Sequence, residues 1–308
     1  MKVENEYEKF SLKLFVRKYL QKSPYIYDKF IQFYRDLRAK KISHNILNDI
    51  KKIKRIKNFP IFTQIQVETF SKCNGGCSFC PVNRFVDPRS SELMKEELFY
   101  KIINELSEID YSGIFYFHMN NEPLLDKRIY KFVKDTRKTL PKATLSLWTN
   151  GTPLNVEKFI ILADDLDHLV IDNYSNELKL HPNISTIKKF CEDNPKYGKN
   201  VRIRLRLEDE ILDTRASRAP NRKPLKKQVK APCLYTFKQI NVRPDGKISL
   251  CCNDALGEVT LGDASKDSLI DIWRGKQFND VRKILSVSRS GIDICEGCDT
   301  MHVPNPNG

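Results

Sequence analysis

The chain has 308 residues, of which 40% are hydrophobic and 30% are charged, and its formal net charge is +14. This length allows one large domain and a smaller one. No apolar run approaches the length of a membrane span, and the polar start MKVENEYEKF is unlike a secretory signal, so we expect a cytoplasmic protein. In that reducing compartment, nine cysteines in grouped spacings predict metal binding rather than disulfide bonds.

Residues 1–58 form a strongly basic extension. They hold 16 Lys and Arg against 6 Asp and Glu, which places +10 of the net +14 there. Apolar residues at helical spacing predict that the extension consists of two or three amphipathic helices. Their basic faces fit an anionic membrane surface or an acidic partner; the alternative is a solvated face packed on the catalytic domain.

Residues 59–225 are predicted to form the main domain. Short apolar runs alternate there with amphipathic stretches, which predicts an α/β fold with a parallel sheet and right-handed crossovers. If the sheet curls into a partial barrel, ligands should gather at the C-terminal ends of its strands. The predicted strands lie near 62–69, 114–119, 144–149, 168–173 and 201–207, and the predicted helices near 94–109, 127–139, 155–164 and 184–193.

Polar motifs follow these strands. The loop SKCNGGCSFCPV after the first strand holds Cys73, Cys77 and Cys80, and the motifs NNEP, TNGT and DNYS follow the next three strands. A structural zinc site usually needs four ligands, whereas thiolates from compact cysteine-rich loops bind iron-sulfur clusters. Three close cysteines would leave one iron open to a small molecule. A zinc knuckle or a group of redox-active thiols is the alternative.

The Cys-x3-Cys-x2-Cys spacing, with an aromatic residue before the last cysteine, resembles the radical S-adenosylmethionine (SAM) superfamily. The resemblance implies a partial (β/α)6 barrel and a 4Fe-4S cluster on the three cysteines, whose open iron binds SAM. It also implies reductive cleavage of SAM to a 5'-deoxyadenosyl radical that abstracts a substrate hydrogen.

The superfamily usually carries Gly-Gly-Glu-Pro after its second strand to bind the methionine amino group. Here two asparagines replace the glycines, so the resemblance assigns amino-group recognition mainly to Glu122. An ordinary Asn-Gly turn and a solvated strand face are alternatives for the later asparagine and arginines. The implied SAM-binding residues are Phe79, Asn120, Asn121, Glu122, Pro123, Asn150, Arg204 and Arg206.

Residues 226–308 resemble the SPASM/twitch extensions of the same superfamily, which hold an auxiliary cluster. A cysteine precedes a predicted hairpin at Pro244-Asp245-Gly246, another ends it, and Cys-x2-Cys follows a helix. The resemblance implies a second 4Fe-4S cluster on Cys233, Cys251, Cys295 and Cys298, with Cys252 as the alternative to Cys251. A four-cysteine zinc ribbon would accept the same ligands. Cys191 lies in a predicted helix and is expected to be an ordinary buried thiol.

One SAM-binding and one fully ligated auxiliary cluster resemble the dehydrogenases of the 2-deoxy-scyllo-inosamine type. This implies oxidation of a sugar or polyol alcohol carbon, with the auxiliary cluster as electron acceptor and a flavodoxin- or ferredoxin-type electron donor. A radical SAM epimerase, a peptide-modifying enzyme and a non-catalytic metal-binding scaffold are alternatives. An epimerase would return a hydrogen from a thiol, for which Cys191 and Cys252 are candidates.

Substrate contacts are expected from three residues near the predicted strand ends, His118, Asp172 and Tyr174, any of which could accept the hydroxyl proton. The linker at 213–230 holds seven Lys and Arg against one Asp. This charge fits an anionic substrate such as a nucleotide sugar or phosphorylated polyol, or a solvated linker. Nucleic acid is disfavoured because no aromatic residues interleave with the charges.

Overall fold

A computed structural model gives the fold of this chain. It describes residues 1–5, 26, 29, 33, 43–55, 60–225, 228, 229 and 231–301. Residues 43–54 are helical. The rest of the predicted helical extension lies almost entirely outside the described residues. Among the described residues, no helix has the length and apolar character needed to cross a membrane.

One sheet organises the described part of the chain. Its strand order is β1-β6-β5-β4-β3-β2-β7-β8-β9, and every neighbouring pair from β1 through β7 is parallel. The predicted α/β class, partial barrel and five barrel strands (β2 to β6) are confirmed. The strands are β1 (Lys2–Asn5), β2 (Gln64–Val67), β3 (Ile114–Tyr116), β4 (Thr144–Thr149), β5 (His168–Tyr174), β6 (Val201–Arg206), β7 (Gln239–Val242), β8 (Lys247–Ser249) and β9 (Thr260–Asp263).

The start of the chain differs from the predicted helical extension. Lys2–Asn5 is a strand that pairs in parallel with β6, with Val3 opposite Ile203, and it supplies the sixth strand of the barrel. The prediction of helix is therefore wrong for these residues. An edge strand such as β6 offers unpaired backbone groups, and pairing them outweighs the weak local preference of four residues.

Amphipathic helices connect the barrel strands and pack their apolar residues against the sheet. In α1, the buried residues Leu98, Phe99, Ile102, Ile103 and Leu106 recur at helical spacing and join the main core. The helices are α1 (Glu96–Glu108), α2 (Ile129–Thr139), α3 (Val156–Asp165), α4 (Pro182–Asp193), α5 (Pro195–Gly198), α6 (Tyr235–Lys238), α7 (Leu269–Arg274), α8 (Lys276–Leu285) and α9 (Asp293–Glu296).

The C-terminal part continues the barrel sheet. Strand β7 pairs in parallel with β2, and β7, β8 and β9 then form an antiparallel ribbon. The predicted hairpin turn is confirmed, with Gly246 at φ +83, a conformation that favours glycine. Strand β7 thus joins the C-terminal part to the barrel through β2.

Candidate active site and cysteine centres

A single cavity of about 280 Å³ opens at the C-terminal ends of the barrel strands. Parallel strands end at the same edge of a sheet, so motifs far apart in sequence meet there. Of the sequence-predicted site residues in the barrel, Pro123 alone does not line this cavity. Those that do are Cys73, Cys77, Phe79, Cys80, His118, Asn120, Asn121, Glu122, Asn150, Asp172, Tyr174, Arg204 and Arg206.

The loop after β2 brings the first three cysteines together. The Gly75 amide donates to Cys73 Sγ at 3.3 Å, and a Cβ on Gly75 would lie 3.4 Å from Cys73 Sγ and 3.8 Å from Cys77 Sγ. The Asn83 side chain donates to the backbone carbonyls of Cys77 and Cys80 at 3.1 and 2.9 Å. Gly75 therefore lies in contact range of two of the sulfurs, and Asn83 fixes the path of the loop around them.

These thiols need a cation to ionise. Burial raises the pKa of Cys73 to about 12, and it also raises the pKa of Cys77. Metal binding deprotonates such thiols because the bound cation offsets the buried negative charge. Among the described residues, no three His, Cys, Asp or Glu converge on a single metal ion. In a polynuclear cluster, by contrast, each thiolate binds a different iron.

Glu122 lies beside this loop with its carboxylate already oriented. One oxygen accepts from Thr149 Oγ1 at 2.6 Å and from the Leu124 amide at 3.0 Å, and the other accepts from the Asn150 amide at 2.7 Å. Burial raises the pKa of Glu122 to about 7, and these three hydrogen bonds oppose that rise. The second oxygen keeps acceptor capacity, so a ligand ammonium group could pair with it.

The two asparagines that replace glycines play different parts. The Asn120 amide donates to the Cys252 carbonyl at 3.0 Å, and its oxygen accepts from Arg215 at 2.8 Å. Asn120 thus links the barrel to the C-terminal part. Asn121 Nδ2 is buried, lines the cavity and has no hydrogen-bond partner in the described part of the chain. That amide remains available to a ligand.

The far wall of the cavity is built from two arginine–carboxylate pairs. Arg204 donates to both oxygens of Asp172 at 2.6 and 2.7 Å and lies over the ring of Trp148. Arg206 pairs in the same way with Glu210, at 3.0 and 2.7 Å. Both carboxylate oxygens of Asp172 are therefore engaged by Arg204.

Two aromatic contacts complete this wall. The rings of Phe79 and Tyr174 lie 5.9 Å apart, and Arg206 lies over Tyr174. His118 stacks on Trp148, and its Nδ1 accepts from the Trp148 amide at 3.1 Å. Burial lowers the pKa of His118 to about 3. The neutral ring therefore carries its proton on Nε2 and offers the cavity a donor rather than a base.

Sequence reasoning missed a group of residues in the part of the cavity around Cys252. Gln66 Oε1 and the Tyr116 hydroxyl are buried there without a hydrogen-bond partner among the described residues. The only sequence signal for these two was alternation along β2 and β3, which does not separate a cavity wall from a core. The missed residues are Gln66, Tyr116, Asp213, Arg215 and Cys252.

Arg215 reaches this end of the cavity from an unusual turn. Arg215, Ala216 and Ser217 have φ values of 46, 53 and 65, so three successive residues without glycine adopt the left-handed region. Such residues are strained, and strain of this kind concentrates at functional sites. Burial works to lower the pKa of Arg215, but Asp213, Cys80, Cys252 and Tyr235 together raise it, so the guanidinium stays charged.

Two arginines of the linker pair with acidic residues of the C-terminal part. Arg218 forms a paired contact with Glu258 at 2.6 and 2.5 Å, and Arg222 lies 3.6 Å from Asp299. Arg215 is the linker arginine that lines the cavity. Arg218 and Arg222 therefore join the linker to the C-terminal part, whereas three of its lysines lie outside the described residues.

A second, smaller cavity is enclosed by the C-terminal cysteines. Cys233, Cys251, Cys295 and Cys298 line it, whereas Cys252 lines the first cavity. The sequence left open whether Cys251 or Cys252 belongs with the other three cysteines. Of the two, Cys251 is the one that lines a cavity with them. Tyr235 stands between the two cavities: it lines the second and lies close enough to Cys252 to share a hydrogen bond.

A buried arginine faces the four cysteines. Arg289 is 2% exposed, lines the same cavity and donates to the carbonyls of Cys298 and Thr300. Burial works to lower its pKa, but the surrounding cysteines outweigh this effect and raise it. A fixed cation beside four sulfur ligands suits a cluster whose thiolates bring excess negative charge. Cys191, in contrast, is buried in the main hydrophobic core on α4.

Two family models match the chain. The model of the radical SAM superfamily matches residues 67–188, and the model of SPASM, an iron-sulfur cluster-binding domain, matches residues 233–299. The S-adenosyl-L-methionine-dependent 2-deoxy-scyllo-inosamine dehydrogenase of Niallia circulans is 24% identical over 245 residues. That alignment covers 79% of this chain and 95% of the relative.

Solved structures share the fold. BtrN in complex with AdoMet and 2-DOIA superposes with a TM-score of 0.67 at 24% identity, over 78% of this chain and 94% of that one. The structure of anSMEcpe with bound AdoMet superposes with a TM-score of 0.51 at 14% identity, over 77% and 86% of the two chains. At these identities the likeness establishes a common architecture.

Proposed function

Because this chain belongs to the radical SAM superfamily and carries a SPASM domain, we propose that it is an oxidoreductase that oxidises an alcohol carbon of a small polyol, such as an aminocyclitol. One observation carries the proposal: the same cavity is lined by the three cysteines of the loop and by Cys252, the residue after Cys251. A substrate between them would lie next to both cysteine centres.

The residues fit two iron-sulfur clusters and SAM. Cys73, Cys77 and Cys80 would hold the first cluster, and Cys233, Cys251, Cys295 and Cys298 the second. When bound, these groups would supply the electron that cleaves SAM, a radical that abstracts hydrogen, and an acceptor for the electron that the substrate releases.

Glu122 and Asn121 would orient SAM. The ionised Glu122 carboxylate would pair with the ammonium group of SAM, and the free Asn121 amide would donate to its carboxylate. Phe79 and Tyr174 would form an apolar wall beside the cysteine loop. Arg204 and Arg206, each already paired with a carboxylate, would shape the cavity without contributing unpaired charge.

The part of the cavity around Cys252 suits a small hydroxylated substrate. Gln66 Oε1 and the Asp213 carboxylate accept hydrogen bonds, while Arg215 donates and the Tyr116 hydroxyl can do either. This mixture matches hydroxyl or amino groups better than a phosphate, because Arg215, the one cation that lines this part of the cavity among the described residues, stands beside Asp213. The relative of Niallia circulans, named for its action on 2-deoxy-scyllo-inosamine, supports the same substrate class.

Oxidation of the alcohol requires a proton acceptor on the chain. The carbon loses a hydrogen atom, the oxygen loses a proton, and one electron leaves as the C=O bond forms. We assign the proton to Asp213, since Asp172 is held by Arg204 and His118 offers a donor. Asp213 Oδ1 accepts from the Arg215 amide and Oδ2 from Thr300 Oγ1, both at 3.1 Å, which orients the carboxylate.

Epimerisation is the second candidate, because Cys252 lines the same cavity. Burial raises the pKa of Cys252 to about 11, so the sulfur keeps the hydrogen that an epimerase would return to the carbon. The resulting sulfur radical would need one electron and one proton to restore the thiol. Cys191 is a poor candidate for this role because it lies in the core.

The test uses full-length protein reconstituted without oxygen. We expect about eight irons per chain, falling to about four when Cys73, Cys77 and Cys80 become Ala. Dithionite-reduced wild type should release 5'-deoxyadenosine from SAM, and aminocyclitols should yield ketones. In deuterated water, substrate recovered with deuterium at the abstracted carbon would favour epimerisation. Zinc in place of iron, or no SAM cleavage, would refute both candidates.

A further inference from the structure

The N-terminal helical segment at 43–54 is anchored beside the second cysteine centre. Ile46 and Ile50 are buried against Leu234 and Phe237. Leu234 directly follows Cys233, one of the four cysteines that line the smaller cavity. Ile53 packs partly against the same cluster, so one face of the segment rests on the two residues that flank Tyr235 and Thr236 of the cavity lining.

The opposite face of this segment is basic. Lys51, Lys52, Lys54 and Arg55 are all exposed, and the one acidic residue of the segment, Asp49, is half-buried. Cations in the last turn of a helix also favour the helix dipole, which accounts for part of this pattern. That effect does not require four cations within five residues, nor a position beside Cys233.

We propose that the exposed face formed by Lys51, Lys52, Lys54 and Arg55 is the docking surface for an acidic one-electron carrier, a flavin or iron-sulfur protein. This inference rests on the proposed oxidoreductase function. Each turnover consumes one electron to cleave SAM, and oxidation of the alcohol returns one. The carrier would therefore give up one electron and regain one, and it must approach a cysteine centre closely to do so.

Charge complementarity identifies the partner. Electron-transfer complexes are small and short-lived, and opposite charges speed their formation more than they strengthen them. A chain with net charge +14 attracts acidic proteins in general, and a cationic face directs them to one place. The apolar anchor on Leu234 and Phe237 would hold that face next to Cys233.

The experiment compares two charge-reversed variants of the reconstituted full-length protein. The first carries K51E, K52E, K54E and R55E. The matched control carries the same charge change at four exposed lysines elsewhere, K127E, K134E, K138E and K189E. Affinity for flavodoxin is measured by surface biosensor, and 5'-deoxyadenosine release is measured with reduced flavodoxin and with dithionite. Iron content and circular dichroism check that each variant is folded.

We expect the first variant to bind flavodoxin at least about tenfold more weakly than wild type, and the control to change less than about twofold. Raising the salt concentration should weaken wild-type binding but not that of the variant. In the first variant, 5'-deoxyadenosine release should fall when reduced flavodoxin is the electron donor and should not change when dithionite is the donor.

The proposed docking surface would be wrong if the first variant bound flavodoxin as tightly as wild type does. It would also be wrong if the control variant bound flavodoxin as weakly as the first variant. Loss of binding to phosphatidylserine vesicles with unchanged flavodoxin affinity would assign the face to a membrane instead and would also overturn it. Wild type that binds flavodoxin but releases no 5'-deoxyadenosine with dithionite would refute the proposed function and leave the docking surface standing.

Discussion

Replacing Gly297 by alanine is expected to destabilise the second cysteine centre by steric overlap alone. Gly297 lies between Cys295 and Cys298 with φ −87, a value that alanine adopts without strain. However, a Cβ at this position would lie 1.7 Å from Ser217 Oγ and 2.7 Å from Ser217 Cβ. The hydroxyl can rotate away, but the Ser217 Cβ is fixed to the backbone.

The size of the destabilisation follows from that overlap. Forcing extra atoms into a packed site costs roughly 1–3 kcal/mol. Ser217→Gly removes both clashing atoms and leaves the Ser217 amide nitrogen at 3.5 Å, an ordinary contact. It also relieves a left-handed residue at φ 65, worth about 1 kcal/mol. Ser217→Ala is the matched control, because it removes the hydroxyl and keeps the Cβ.

The assay is urea unfolding of the reconstituted protein, with iron per chain measured in parallel. We expect G297A to lower the free energy of unfolding by about 1–3 kcal/mol and to retain less iron. G297A/S217G should recover most of the stability and iron, whereas G297A/S217A should recover little of either. A G297A protein as stable as wild type would refute the reasoning, as would equal rescue by Ser217→Ala and Ser217→Gly. Success would show that the motif needs glycine to admit the turn that carries Arg215.

Three further predictions concern the two cysteine centres. Cys251→Ser should lose about four irons per chain and Cys252→Ser none, as measured by iron analysis; the opposite result would exchange the assigned ligand. Arg289→Met should make the reduction potential of the second centre more negative by on the order of tens of millivolts, because a cation that favours the reduced form is lost; a redox titration followed by EPR would detect it. Because burial raises the pKa of Glu122 to about 7, affinity for SAM should fall as the pH drops below 7, by up to about tenfold per pH unit, and level off above it. Equilibrium dialysis would measure this, and E122Q should bind weakly without the pH dependence.

The sequence alone was enough for features that local spacing encodes. Cys73, Cys77 and Cys80 lie within eight residues, so one loop presents all three, and no distant pairing is needed to recognise the motif. Alternating apolar patterns located the barrel strands and their helices because burial on a sheet leaves its period in the chain. The strand ends then indicated where Glu122 and Asn150 would meet.

Only the tertiary structure decided how those residues are used. Cys251 and Cys252 are neighbours of the same type, and they face different cavities because adjacent side chains point apart. The strand Lys2–Asn5 forms through pairing with β6, which lies some 200 residues away in the chain. The protonation of the His118 ring depends on burial and on the hydrogen bond from the Trp148 amide. Each of these depends on contacts between distant segments, which local pattern and propensity do not record.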